Sequence, residues 1–123
     1  ELIESFRWIA RNINDLFVFD FWNGNAVLIQ EPDSDVRLLK NGMIRVKQPK
    51  LVENQHLVEV RQTIKDGGKI IADEVHRVRY FFPLEIEHYL QDAGFELLGL
   101  YPCWRFRDIT SQDWDIVAVA RVR

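Results

Sequence analysis

A polar cluster directly after a run of apolar residues is the first candidate for chemistry in this sequence. Asp20, Trp22, Asn23 and Asn25 follow the apolar run 16–19, LFVF. Such a run, ending in turn chemistry, predicts a strand buried on both faces, and ligands of open α/β sheets bind beyond the carboxyl ends of such strands. A carboxylate or an amide there could orient an amine or a hydroxyl group by hydrogen bonding. The alternative is a core strand ended by an ordinary Asn-Gly turn.

A second group of candidates lies in a long run rich in Ile, Val, Tyr and Phe at 69–82, which predicts a strand. His76 and Tyr80 share one face of that strand, and Arg79 lies on the other. His76 could act as a general base because its unperturbed pKa is near neutrality, and Arg79 could bind a carboxylate or a phosphate. The alternative is a half-buried histidine beside a solvated arginine face.

The third group is aromatic and lies near the C-terminus. Tyr101 and Trp104 end a predicted strand and open a loop, where they could pack over a substrate or serve as hinge and core residues. Cys103 is the only cysteine, which excludes an internal disulfide and suits a reducing compartment. We expect its thiol to be inert, because only Arg105 and Arg107 lie nearby in sequence to lower its pKa.

Composition restricts the class of protein. The chain has 123 residues, 47% of them hydrophobic and 12% aromatic, which is sufficient for one domain with a packed core. The net charge of −3 gives no general footprint for nucleic acid. No apolar stretch approaches the roughly 18 residues of a membrane span, and no signal peptide is visible, so we expect a cytoplasmic location. The first residue is Glu1 rather than Met, from which we expect a fragment of a longer protein.

The pattern of apolar residues predicts the elements that position these candidates. It predicts an amphipathic helix over 1–13, a strand from 16, a loop with one helical turn over 26–35, an antiparallel meander, a helix from Pro83 to Gly94, and two further strands. The meander strands are expected at 43–52, 55–65 and 69–82, and the last two strands at 95–101 and 114–122.

Three segments together resemble the C-terminal half of class I S-adenosylmethionine-dependent methyltransferases. They are FVFDFWNGNAV at 17–27, HRVRYFFPLEIEHYLQDAGFELLGLY at 76–101 and WDIVAVAR at 114–121. In such enzymes a helix leads to the fifth strand of a mostly parallel sheet, and a substrate-covering insertion can follow. A helix, the sixth strand and an antiparallel seventh strand, slotted between the sixth and the fifth, complete the fold. The order of elements predicted here is the same over nearly the whole chain.

The resemblance implies an α/β fold that is α+β within this chain: the C-terminal part of a seven-stranded Rossmann-like sheet with an antiparallel meander insertion. It implies a single domain over 1–123, in which 36–82 form the insertion and 1–25 with 83–123 form the sheet. It also implies a cytoplasmic transferase that methylates a small molecule. Its substrate-binding candidates are Asp20, Trp22, Asn23, Asn25, Arg79, Tyr80, Tyr101 and Trp104, and its catalytic candidate is His76.

The chain departs from the family pattern at the cofactor site. Such enzymes hold S-adenosylmethionine with a Gly-rich loop after their first strand and an acidic residue that ends their second, and neither occurs in these 123 residues. We therefore expect the parent protein to use S-adenosylmethionine, this chain to contribute no cofactor-binding residue and no metal ligand, and the chain alone to be inactive.

A strand that is central in the parent would be exposed here, and an unpaired apolar edge is a template for pairing. The expected partner is therefore the missing N-terminal half or a second copy in a dimer. The alternative to an enzyme half is a non-catalytic α+β ligand-binding or dimerisation module, in which 16–21 and 114–120 merge into the meander. The enzyme half instead places these two segments side by side and antiparallel, with 95–101 beyond the last. A third alternative is a regulatory subunit that keeps the fold without catalysis.

Overall fold

The computed structural model describes all 123 residues, which form two compact units of residues 1–29 with 81–123 and of residues 30–80. The helices are α1 (Leu2–Asn12), α2 (Gly24–Ile29) and α3 (Pro83–Ala93). The strands are β1 (Leu16–Asn23), β2 (Asp35–Leu38), β3 (Ile44–Val52), β4 (Leu57–Asp66), β5 (Lys69–Phe81), β6 (Phe95–Pro102) and β7 (Asp115–Val122).

The first unit, residues 1–29 and 81–123, is built on three strands in the order β1, β7, β6. β1 and β7 run antiparallel, with Leu16 opposite Arg121 at one end and Trp22 opposite Asp115 at the other. β6 pairs antiparallel with the other side of β7, so β1 and β6 run in the same direction with β7 between them. This is the arrangement that the sequence predicted for these three strands.

The core of the first unit lies on one face of this sheet. Alternate residues of each strand point to the same side, where Phe17 and Phe19 of β1 contact Phe6 of α1. Leu90 of α3 and Phe95 of β6 are fully buried in the same cluster. Burying such side chains is the main term that stabilises the unit, at about 1.5–3 kcal/mol for each.

The limits of α3 follow from its terminal residues. Pro83 occupies the first helical position, and its missing N–H costs nothing there. Gly94 ends the helix with φ of 98°, a left-handed conformation that favours glycine. Both ends were predicted. α1 and α3 have 11 residues each, and none of the helices has the length and apolar composition of a membrane span.

The prediction that β1 is buried on both faces is wrong. Its phenylalanines face the helices, but Leu16 is 51% exposed and Val18 57% exposed on the opposite side. The reason is that α1 and α3 contact each other and the same apolar cluster, so both helices cover one face of the sheet. The opposite face of β1, β7 and β6 is called the open face below.

The second unit, residues 30–80, is an antiparallel meander in the order β2, β3, β4, β5. The β4–β5 turn has Gly67 and Gly68 at φ of 57° and 83°, which is the backbone that a tight two-residue hairpin requires. β3, β4 and β5 were predicted. β2 was not, because a strand of four residues is too short to show an alternating pattern. Residues 24–29 form α2, where the sequence predicted a turn followed by a loop with one helical turn.

Candidate functional site

Two carboxylates lie on the open face where β1 ends and β7 begins. Asp20 is opposite Val117, and Asp115 is opposite Trp22, so Asp20 and Asp115 are diagonal neighbours on the same side of the sheet. Burial and the adjacent charge of Asp20 raise the pKa of the Asp115 carboxyl. The pair makes this end of the sheet acidic.

Cys103 follows directly after β6 and lies beside Asp20 and Asp115 at the acidic end of the sheet. Its backbone N–H donates to the carbonyl oxygen of Asp115 at 3.1 Å. Burial raises the pKa of its thiol, and the charges of Asp115 and Asp20 raise it further. A thiol with a raised pKa remains protonated at neutral pH, so Cys103 is a poor nucleophile.

A cavity of about 210 Å³ adjoins these groups, and its apolar wall is formed by β1 and β7. Trp104 lines it and is 92% exposed, although it is a large aromatic residue. Its φ of 63° lies in the left-handed region, which is uncommon for a residue that is not glycine. The lining residues are Val18, Phe19, Asp20, Cys103, Trp104 and Val117.

Tyr101 lies on the open face over a glycine. A Cβ atom at Gly99 would lie 2.5 Å from the Tyr101 hydroxyl oxygen, so only glycine leaves room for this ring position. The ring also makes an edge contact with Phe106, with centroids 5.8 Å apart. Leu98 forms a β-bulge beside Gly99, where the register of β6 against β7 shifts, and bulges of this kind redirect side chains.

Asn23 fixes the loop 103–114 to the end of β1. Its side chain is 1% exposed, and Nδ2 donates to the carbonyl oxygens of Thr110 and Asp113 at 3.3 and 2.9 Å. Its Oδ1 accepts the Asn25 backbone N–H at 3.2 Å. The amide is therefore committed to backbone groups, and it positions the loop that carries Trp104.

An ion pair stiffens the same loop. Arg107 donates two hydrogen bonds to the Asp113 carboxylate, at 3.0 and 2.7 Å, and the Thr110 backbone N–H donates a third at 2.8 Å. The Arg107 bond and the Thr110 bond hold the pKa of Asp113 well below its usual range. The loop that follows β6 is thus held by an ion pair and hydrogen bonds between its own residues, as well as by its hydrogen bonds to Asn23.

The remaining candidates of the first unit flank this loop. Trp22 is half-buried and packs edge-on against Trp114, with ring centroids 5.4 Å apart. Asn25 is exposed at the start of α2. The structure therefore gathers six candidates at one end of the three-stranded sheet: Asp20, Trp22, Asn23, Asn25, Tyr101 and Trp104.

The other three candidates, His76, Arg79 and Tyr80, lie on β5 in the second unit. His76 Nε2 is 3.0 Å from Glu74 Oε2, and both side chains are more than half exposed. Tyr80 is buried and stacks on His56, and burial together with the charge of Glu53 raises the pKa of its hydroxyl. Arg79 is exposed and lies opposite Leu57.

Sequence reasoning did not single out Asp115 or Asp113, and it named Arg107 only as a neighbour of Cys103. Asp115 becomes a neighbour of Asp20 only through the β1–β7 register, which joins segments almost a hundred residues apart. Arg107 and Asp113 are close in sequence, and an Arg with an Asp inside one loop is the signal that could have indicated their pairing.

Comparison with known proteins supports the fold. No protein-family model and no curated protein sequence matches the chain. Among solved structures, an S-adenosylmethionine-dependent methyltransferase from Clostridium acetobutylicum superposes with a TM-score of 0.81 at 16% identity. The CcbJ methyltransferase from Streptomyces caelestis superposes with a TM-score of 0.81 at 18% identity.

The matches cover a larger share of this chain than of the two solved structures. They cover 98% of this chain but only 50% and 52% of the two structures, so the chain spans about half the length of the proteins it matches. At this identity the likeness shows the fold. The chain therefore has the α/β fold of about half of each of these two methyltransferase structures.

Proposed function

We propose that this chain is the acceptor-binding half of an S-adenosylmethionine-dependent methyltransferase that acts on a small molecule. The observation that carries the proposal is the strand order β1, β7, β6, with β7 antiparallel between two parallel strands. In the alternative, a non-catalytic binding module, β1 and β7 would merge into the meander. Instead they pair with each other along their length, which favours the enzyme half.

In this proposal the acceptor binds at the end of the sheet marked by Asp20. The Asp20 carboxylate accepts a hydrogen bond from an amine or hydroxyl group of the acceptor. Trp104 packs over the apolar part of the acceptor, and Trp22 and Tyr101 complete the aromatic lining.

The loop 103–114 keeps the acceptor in place in this proposal. Asn23 fixes the loop through its two bonds to loop carbonyl groups, and Asn25 fixes the start of α2 through its backbone N–H. Methyl transfer depends mainly on aligning the acceptor with the reactive carbon, and a rigid loop supplies this alignment.

The cofactor half is proposed to come from a further segment or a separate chain. None of the strands of this chain leads through a Gly-rich loop into a helix, which supports a site for S-adenosylmethionine in the other half. The cofactor supplies the methyl group in the complete enzyme. No residue of this chain is assigned to it.

His76 is proposed as the group that accepts the proton of the acceptor. Its ring is exposed, and its Nε2 lies 3.0 Å from Glu74 Oε2, a contact that holds the ring in position. Arg79 would bind an anionic group of the acceptor, and the buried Tyr80 would support β5 through its stacking on His56. A cytoplasmic location belongs to the same proposal.

The test compares the 123-residue chain with a longer protein that also contains the cofactor half. Calorimetry measures binding of S-adenosylmethionine, and transfer of a radiolabelled methyl group to a panel of small amines and phenols measures activity. We expect the longer protein to bind the cofactor and methylate an acceptor, and the 123-residue chain to do neither. Binding of S-adenosylmethionine by the 123-residue chain alone would contradict the assignment of the cofactor site to the other half.

A further inference from the structure

β2 forms an open edge of the second unit. It ends the strand order of the meander and pairs with β3 on one side only. All four of its residues are exposed, including Val36 at 67% and Leu38 at 74%. An unpaired edge is a template for a strand of another chain, and charged side chains on the edge often discourage this. In β2 the two charges, on Asp35 and Arg37, have opposite signs.

The hydrogen-bond pattern shows which backbone groups of β2 face outward. The Leu39 N–H donates to the Met43 carbonyl oxygen at 2.8 Å, which makes these two residues a hydrogen-bonded pair. Bonded and non-bonded pairs alternate along an antiparallel ladder. Leu38 and Val36 therefore belong to non-bonded pairs, so their N–H and C=O groups point away from β3.

This pattern restricts how a second copy can pair with β2. The two-fold axis of a symmetric antiparallel pair places one residue opposite its own copy. An axis at Asp35 or Arg37 would put two like charges directly opposite each other. An axis at Val36 places Asp35 of each copy opposite Arg37 of the other, with Cβ atoms about 5 Å apart. An axis at Leu38 would place Arg37 opposite Leu39, so charge complementarity selects Val36.

We propose that β2 is a homodimerisation edge, at which two copies of this chain pair antiparallel about Val36 and their meanders form one continuous sheet. Apolar side chains on one face of the meander support this arrangement. Val36, Leu38, Ile44 and Ile70 are exposed, and the register places Leu38, Ile44 and Ile70 in one row across the strands, with Lys65 between the two isoleucines. Pairing would join the two apolar faces. The proposal is independent of methyl transfer, since it uses only residues of the meander.

Charge exchange at the edge provides the main test. Asp35→Arg places two guanidinium groups opposite each other at both ends of the pairing, and Arg37→Asp places two carboxylates there. Like charges directly opposite are destabilising, so we expect each variant to raise the dissociation constant of the dimer about tenfold. Sedimentation velocity over a concentration series of the 123-residue chain measures this constant.

Mixing the two charge variants restores the opposite charges, because a chain with two arginines on β2 then faces a chain with two aspartates. We expect the mixture to form a heterodimer with the affinity of the wild type. Arg11→Asp, an equal change of charge on an exposed residue of α1, is the matched control and should leave the dimer unchanged.

A third variant removes a single backbone donor. Val36→Pro lacks the N–H that points away from β3, so in the dimer it abolishes the two central intermolecular hydrogen bonds, one from each copy, and leaves the β2–β3 ladder intact. We expect this variant to be monomeric with an unchanged circular dichroism spectrum. A wild-type chain that is monomeric at every concentration would overturn the proposal, and so would a dimer that neither the charge variants nor Val36→Pro weaken.

Discussion

Asn23 shows at the scale of one residue how a buried amide can position a site without touching a ligand. Its side chain donates to two loop carbonyl groups and accepts a backbone N–H, and all three bonds lie at the junction of β1, α2 and the loop 103–114. The sequence left two roles open for Asn23, ligand binding and an ordinary Asn-Gly turn, whereas the structure places it at the end of β1 directly before α2. Its partners were not predicted, because Thr110 and Asp113 are distant in sequence and reach Asn23 only in the folded chain.

Replacing Asn23 tests this role. Asn23→Ala removes three hydrogen bonds. The Thr110 carbonyl keeps its bond from the Asp113 N–H, but the Asp113 carbonyl and the Asn25 N–H lose the side chain as partner. We expect this to lower the free energy of unfolding by about 1–3 kcal/mol. Urea denaturation followed by tryptophan fluorescence measures the change. Asn25→Ala is the control, since its side chain is exposed, and it should change stability by less than about 0.5 kcal/mol. Equal losses in the two variants would contradict the assignment.

Asp113 gives a prediction about pH. The Arg107 guanidinium and the Thr110 N–H lower the pKa of this carboxyl in the folded state. A lowered pKa contributes stability above the unfolded-state value of about 4, and that stability is lost as the pH falls from there toward the folded-state pKa. We therefore expect the difference in melting temperature between wild type and Asp113→Asn to shrink as the pH falls from about 6 to about 3.

The control for the pH experiment is Asp33→Asn, which removes an exposed carboxylate in the other unit. We expect it to leave the pH dependence of the melting temperature close to that of the wild type. A wild type and an Asp113→Asn variant that differ by the same amount at both ends of the pH range would show that the carboxylate does not stabilise the loop.

At the scale of elements, α3 covers the buried face of the sheet with one side only. Leu90 is fully buried in the core cluster, whereas Leu84 on the same helix is 77% exposed. Leu90→Ala should lower the free energy of unfolding by about 2–5 kcal/mol through lost burial and the cavity left behind. Leu84→Ala should change it by less than about 0.5 kcal/mol. Thermal and urea unfolding measure the free energy of unfolding of both variants. Similar losses of stability in the two would contradict the placement of the core against Leu90.

The elements also show what the sequence could and could not predict. α1, α3 and the strands β3 to β7 follow from apolar periodicity and from terminal Pro and Gly residues, which are local signals. The two-sided burial of β1 was wrong because an unbroken apolar run indicates a buried strand but does not reveal on which side the helices pack. The proximity of Asp20 and Asp115 depends on the register between β1 and β7, which no local sequence pattern encodes.

At the scale of the whole molecule, we propose in addition that the cofactor half covers the open face of β1, β7 and β6. Val18 is exposed at its centre, and Trp104 and Phe106 are exposed on the adjoining loop. The chain spans half the length of the methyltransferases it matches, which supports the other half as the partner. The edge strand β2 is proposed for a different partner, a second copy.

Introducing a charge on the open face tests whether the cofactor half binds there. Val18→Lys places an ammonium group where apolar contact is proposed, so we expect weaker binding of the cofactor half and little effect on folding of the 123-residue chain. Ile29→Lys is the control, because Ile29 is also exposed but lies on α2. Calorimetric titration of the two halves measures the affinity. Equal affinities for Val18→Lys and wild type would contradict the proposed surface.

The most direct test of the acceptor site is steady-state methyl transfer by the complete protein with Asp20→Asn. Losing a hydrogen bond to a charged group is worth about 1.5–3 kcal/mol, so the acceptor KM should rise about tenfold or more. The dissociation constant for S-adenosylmethionine, measured by calorimetry, should not change. An unchanged KM for the acceptor would contradict the claim that this chain holds the acceptor. Weaker binding of S-adenosylmethionine together with an unchanged KM for the acceptor would contradict it as well.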